Sequence, residues 1–330
     1  MTRQITIIGL GQIGGSVGLA LEQYKSSIKR VGHDKKPDTA KTAHSKGAVD
    51  EINFNLPASV READIVLLAL PFSEIEETLK IIGQDLKEGA VVLDTAPVKT
   101  QVAAWAEQYI PAGRSYVGLV PSIGPDHILD VGAGFVSAQA DLFKEAVFFV
   151  CPSRTADAAA VKMATDLLEL IGATTMFSDF TEADGLMAAL HTLPQLLAIA
   201  LLDATTTQPG WKEARKLASR PYAWTSASAL YLDDADSVAQ MIQSNRQNVS
   251  RVLDNAIRSL TSLRQALDGE GADEFMEDAY LGGIQWLKER LGADWVHEGM
   301  EKIEIQPMSE RLLGTWVRPR RDETDNKKKW

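Results

Sequence analysis

The sequence predicts a doubly wound α/β domain that holds a nucleotide, followed by an all-helical domain. Three observations predict it. Residues 5–22, ITIIGLGQIGGSVGLALE, set a short apolar run against glycines at 9, 11 and 14 and continue as a helical pattern. Short β-rich runs then alternate with helical patterns through the first half of the chain, the texture of a parallel sheet with helices on both faces. From about residue 181 the strand signals stop and long apolar helices take over.

Each element follows from local pattern. The β-rich runs are QITIIGL, KRVGHD, DIVLLALP, AVVLDTA, SYVGLV and AVFFVCP, with ATTMF as a further strand. Between most of them lie helical patterns over 13–24, 37–46, 73–83 and 98–108. A further amphipathic helix covers 155–171, with Gly172 placed to end it. TEADGLMAALHTLPQLLAIALLDATT, SVAQMIQSNRQNVSRVLDNAIRSLTSLRQAL and DEFMEDAYLGGIQWLKERLG read as long helices. The expected division is a nucleotide-binding domain over 1–179 and a helical domain over 180–330.

Composition narrows the function. Of 330 residues, 34 are Lys or Arg and 45 are Asp or Glu, a net charge of −11. Nothing supplies the broad cationic surface a general nucleic-acid binder needs. The one basic run, RPRRDETDNKKKW, reads as a solvated tail. A single cysteine, Cys151, excludes an intramolecular disulfide and suits a cytoplasmic protein. It ends an apolar run and reads as a small buried hydrophobe. No stretch reaches about 18 uninterrupted apolar residues, so no membrane span is expected. No metal-ligand spacing is present either.

The three glycines have separate tasks. Gly9 makes the tight turn off the strand, Gly11 lets a diphosphate approach the backbone, and Gly14 lets the helix pack on the strand. The helix starting near Gln12 and Ile13 turns its free amides and positive dipole end to the phosphates. Asp34 lies 20 residues beyond Gly14, at the end of the second strand, where a carboxylate accepts from ribose hydroxyls. This is the full context of a Rossmann-type dinucleotide site. Asp34 repels a 2′-phosphate, which favours NAD over NADP, although Lys35 and Lys36 follow it directly. Leu70, Pro71 and Thr95 end later strands and are expected to line the ribose and nicotinamide.

At this point IGLGQIGGSVGLAL, GHD, ADIVLLALP, DTAPVK, GLVPSIGPD, TEADGLMAALHTLPQLLAIAL and ARKLASRPYAW together resemble the prephenate/arogenate dehydrogenase family, over roughly residues 4–260. The resemblance implies a nucleotide domain followed by an all-α dimerisation domain, hence a homodimer. It implies oxidation of a cyclohexadienyl alcohol with NAD(P) as acceptor and loss of carbon dioxide, as in tyrosine biosynthesis. It also implies that Arg215 binds a substrate carboxylate.

The chain departs from that family at three points. The family's reacting-site histidine falls at Val120, its supporting serine at Pro97, and its helical histidines at Thr192 and Gln195. Valine exchanges no proton. Two histidines are candidates for the missing acceptor. His127 lies in the loop PSIGPDHILD just beyond Val120. His191 shares a helix face with Asp184, Ala188 and Gln195, and Pro194 is expected to kink that helix. Ser122, Gln195 and Arg220 are further candidates for substrate contact, with Asp126 a possible turn residue in the same loop. His33 is expected at the adenosine end, and His44 and His297 away from the chemistry. Two alternatives stay open: a related NAD(P)-dependent enzyme acting on another small hydroxy or keto acid, and a catalytically degenerate NAD-binding dimer.

Overall fold

The computed structural model describes residues 2–130, 132–231, 234–267, 269 and 271–293. His297 and the basic tail lie outside them. Eight strands among the described residues form one sheet: β1 (Arg3–Ile8), β2 (Ile28–His33), β3 (Glu51–Ile52), β4 (Ile65–Leu68), β5 (Val91–Asp94), β6 (Ser115–Pro121), β7 (Val147–Pro152) and β8 (Thr174–Phe177). Their order is β3-β2-β1-β4-β5-β6-β7-β8. The chain leaves β1 in one direction for β2 and later returns to its other side for β4. That reversal opens a crevice beyond the carboxyl ends of β1 and β4, where ligands of open α/β sheets sit.

Helices α1 (Gln12–Ala20), α2 (Pro37–Ser45), α3 (Leu56–Val60), α4 (Phe72–Ile82), α5 (Lys99–Tyr109) and α6 (Ala158–Leu170) cover the sheet. The sequence missed β3 and α3, each too short to show a period. The sheet is parallel as the alternation of strand and helix implied, with one exception. β7 pairs antiparallel to β6, with Val120 opposite Phe149. A parallel return needs a long crossover, usually helical. Among its described residues the connection from 122 to 146 carries only short 3₁₀ turns, so the chain comes back alongside in reverse.

The helical half comprises α7 (Phe180–Met187), a π-helical turn at Ala188–Thr192, α8 (Leu193–Thr206), α9 (Trp211–Ala214), α10 (Arg220–Tyr231), α11 (Ala235–Ser244), α12 (Arg246–Leu267) and α13 (Ala272–Gly292). The π turn sits where Pro194 was expected to disturb the helix. Proline offers no N–H to the carbonyl of Leu190, and a widened turn redistributes the remaining bonds. From α7 through α8 the helix runs without a break over Phe180–Thr206, 27 residues that include an 18-residue window of mean hydropathy 1.7, long and apolar enough by length and composition to cross a membrane.

The two halves share packing. The expected division at 179/180 falls between β8 and α7, and the described residues on both sides of it belong to one compact unit. Val238 and Met241 of α11 join the core built by Val66, Leu68, Phe72, Ile75 and Val92. Burying each such side chain contributes about 1.5–3 kcal/mol. Asp184 of α7 is buried, and its Oδ1 accepts from the Lys99 amide at 2.5 Å and its Oδ2 from Thr100 at 3.2 Å. A helical-half carboxylate thereby caps α5 of the nucleotide half. Burial pushes that carboxyl above its ordinary value, against the pull of the two amides.

Candidate functional site

The crevice at the strand-order reversal is a cleft of about 390 Å³. Gly9, Gly11, Asp34, Leu70 and Pro71 line it, together with His33, Lys35, Lys36, Glu74, Phe135 and Asp234. Each glycine of the opening motif has a distinct surrounding. Gly9 adopts φ +89°, and a Cβ there would lie 2.2 Å from the Ala69 carbonyl oxygen. At Gly14 a Cβ would lie 2.0 Å from the Gly9 carbonyl oxygen. At Gly11 a Cβ would meet nothing within 4 Å. The first and third glycines are therefore required by packing, and the middle one keeps open the space before α1. Gly15 is the first amide to donate to a carbonyl of this turn, to Gly11 at 2.9 Å, so the amides of Gln12, Ile13 and Gly14 lie in the orphaned first turn. An open cradle at the positive end of a helix fits a dinucleotide's diphosphate.

Asp34 has a structural task as well. Its Oδ2 accepts from the Leu10 amide at 2.9 Å and its Oδ1 from the Lys36 amide at 2.8 Å. These bonds fix the carboxylate at the cleft wall and leave further lone pairs for ribose hydroxyls. His33 stands at the same end, its Nδ1 2.8 Å from the Asn53 carbonyl oxygen. Thr95 does not line this cleft. Its amide donates to the Leu68 carbonyl at 3.1 Å, which places it at the neighbouring strand end.

The loop after β6 continues over the phosphate turn, a placement the sequence did not disclose. Gln12 donates through Nε2 to the Ser137 carbonyl at 3.3 Å, and the Gln139 amide donates to Ser16 Oγ at 2.9 Å. A Cβ on Gly15 would come within 2.7 Å of the Phe135 ring. His127 belongs to this loop and holds it together. Its Nδ1 is 2.9 Å from Asp130 Oδ2 and its Nε2 3.1 Å from Asp141 Oδ1. The hydrogen bond to Asp130, joined by that to Asp141, outweighs burial and raises its pKa above the ordinary histidine value. With both ring nitrogens engaged by carboxylates, His127 is a loop clasp in this structure and not an exposed proton acceptor.

Ser122 is similarly occupied. Its Oγ accepts from the Val147 amide at 2.9 Å and from Arg290 Nη2 at 3.4 Å, and Arg290 also donates to the Ile123 carbonyl. The hydroxyl expected to orient a substrate instead ties β6 to β7 and α13. Val120 is 6% exposed in a small apolar cluster with Cys151 and Ala183, against Phe149, Phe180 and Met187. Cys151 is buried as expected, and burial pushes its thiol up to about 11.

In the helical half, Asp184, Ala188 and Gln195 are buried and His191 is half-buried, so their shared stripe faces inward. Gln195 Nε2 lies 3.3 Å from His191 Nε2. This contact couples the imidazole to the buried amide on the next turn of the same helix. Arg215 and Arg220 are exposed, beside α9 and at the start of α10. None of His191, Gln195, Arg215 and Arg220 lines the cleft.

One buried network carried no sequence signal. Lys99 and Asp94 are both fully buried, with Lys99 Nζ 2.6 Å from Asp94 Oδ1. Tyr116 OH donates to Asp94 Oδ2 at 2.6 Å, and burial and the adjacent carboxylate raise the phenol well above its ordinary value. The pairing joins the end of β5, the start of α5 and the start of β6, three places a linear reading does not connect.

Comparison with known proteins agrees with this architecture. The family described as prephenate dehydrogenase, nucleotide-binding domain, matches residues 17–177, and prephenate dehydrogenase, dimerization domain, matches residues 180–280. The prephenate dehydrogenase of Bacillus subtilis (strain 168) is 24% identical over 289 residues, 83% of this chain and 72% of that protein. The cyclohexadienyl dehydrogenase of Zymomonas mobilis is 25% identical over 286 residues, 83% of this chain and 92% of that protein. Among solved structures, prephenate dehydrogenase from A. aeolicus in complex with hydroxyphenyl propionate and NAD+ has the same fold, with a TM-score of 0.73 at 20% identity over 87% of this chain and 98% of that one. With both halves matched in order, the chain belongs to the prephenate dehydrogenase family of NAD-dependent oxidoreductases.

Proposed function

We propose that this protein oxidises a cyclohexadienyl alcohol bearing carboxylates, prephenate or arogenate, with loss of carbon dioxide, and that it works as a homodimer in the route to tyrosine. The observation that carries the reading is the open cradle at Gly11, at the β1/β4 reversal, in a chain matched to this family through residue 280. NAD, when bound, supplies the hydride acceptor. The chain's own groups do the rest. The first turn of α1 holds the diphosphate, Asp34 holds the adenosine ribose, and Leu70 and Pro71 exclude water along the cleft wall. Arg215 binds a substrate carboxylate with its planar fork. His191 takes the hydroxyl proton on its imidazole, held on the inward stripe beside Gln195.

The homodimer follows from exposed apolar surface. Leu190, Leu217, Trp224, Leu260, Tyr280 and Trp286 are each more than half exposed, far beyond scattered surface residues. All of these but Trp286 lie in residues 180–280, which match a dimerization domain, so a second copy covers the apolar helix Phe180–Thr206.

The test is turnover on a panel of acids with NAD present. Steady NADH formation on prephenate or arogenate supports the proposal. A second reading, turnover of another small hydroxy or keto acid, is favoured by one observation: Val120 fills with packed hydrocarbon the position where the resemblance places a histidine. NADH formation only on such acids would replace the first reading with the second. Tight NAD binding without turnover on any acid would leave a nucleotide-binding dimer.

A further inference from the structure

The adenosine end of the cleft carries an unusual balance of charge. Asp34, Lys35 and Lys36 follow β2, Glu74 stands in the first turn of α4, and Asp234 precedes α11. All five line the cleft. Asp34 with its two lysines would leave one net positive charge beside the ribose, an environment that attracts a 2′-phosphate. Glu74 and Asp234 reverse it to one net negative charge.

The geometry adds to the count. Lys35 Nζ is ion-paired with Glu74 Oε1 across the cleft wall, which turns the ammonium from Asp34 toward α4. The Lys35 side chain is 63% exposed and that of Glu74 25%, so the anchor of the pair is the acid. Asp234 is fixed by its own helix, its carboxylate accepting from the Ser237 amide at 2.8 Å. Ser237 is buried, and its Oγ lies 3.5 Å from the Ser73 amide, which seats α11 against α4 beside Glu74. The helical half thus reaches the nucleotide's adenosine end, far along the chain from the glycine motif.

We propose that Glu74 and Asp234 are coenzyme-specificity residues: Glu74 engages Lys35, and the two acids together oppose a 2′-phosphate, so that the cleft takes NAD and rejects NADP. The proposal rests on the reading that this cleft holds a pyridine dinucleotide. It adds to the strand-end aspartate two acids from elsewhere in the chain, one of them from the helical half.

The test is direct binding by the full chain, followed by fluorescence titration of NADH and NADPH. The variants are Glu74→Gln, Asp234→Asn, their double, and the double with Lys35→Ala. Both single changes keep side-chain shape, and asparagine caps a helix as well as aspartate does. Wild type is expected to prefer NADH by about tenfold or more. Each single variant should raise the NADPH-to-NADH affinity ratio about three- to fivefold, the size of an exposed charge pair. The double should raise it about tenfold, less at high salt, and Lys35→Ala should remove most of that gain. A wild type that binds NADPH as well as NADH overturns the proposal. So does a double variant with an unchanged ratio, or a gain that loss of Lys35 leaves undiminished. Binding of neither dinucleotide to wild type overturns the coenzyme reading itself, and the proposal with it.

Discussion

At the scale of single residues, the glycines separate folding from binding. Gly11→Ala adds a methyl to open space, so thermal stability should hold while NADH affinity falls about tenfold or more, the loss of roughly 1.4 kcal/mol of binding. Gly14→Ala drives a Cβ into the Gly9 carbonyl and should lower the melting temperature itself. Equal effects of the two changes on stability would contradict this division. Arg215→Ala should raise substrate KM at least about tenfold and leave NADH affinity nearly unchanged, measured by steady-state kinetics beside titration. His127 sets a pH dependence. Its folded pKa is raised, so its contribution to stability is complete below the ordinary histidine value of about 6.5 and is lost as pH rises through the folded value. The melting-temperature gap between wild type and His127→Gln should be widest near pH 6 and close toward pH 9. A gap that widens with pH would reverse the assignment.

Among elements, the buried pairing of Lys99 with Asp94 locks the start of α5 to the end of β5. Both side chains are fully buried, so removing one leaves an uncompensated charge. Lys99→Met should destabilise the protein by about 3–5 kcal/mol in urea unfolding, whereas removing both charges should cost less. A loss of under about 1 kcal/mol would show that the pair is dispensable. Asp184 adds a second lock by capping the same helix from α7. These contacts explain why the polar stripe of α7 and α8 was only half legible. Its inward face followed from the 3.6-residue period. That Asp184 served another helix's amides, while His191 met Gln195, depended on which elements packed against it.

For the whole molecule, the exposed apolar helices predict self-association. Sedimentation equilibrium at micromolar concentration should give twice the chain mass. A monomer there would remove the homodimer and leave the apolar faces of Phe180–Thr206 and α12 without a partner. Packing across 179/180 predicts cooperative unfolding of the two halves, because α11 completes the core beneath α4.

Local chemistry decided much in advance. The glycine spacing, the alternating strand and helix texture and the acid after β2 are short-range constraints, each satisfied by backbone sterics or amides a few residues away. They determined the α/β sheet, the nucleotide turn and the helical second half from the chain alone. Tertiary structure decided what required distant segments to meet. The antiparallel turn of β7, the clasp of His127 by Asp130 and Asp141, and the use of Ser122 by Val147 and Arg290 were not written in any one stretch. Nor was the arrival of Asp234 beside Asp34. Side-chain partners across the fold are selected by packing, and packing is a property of the whole chain.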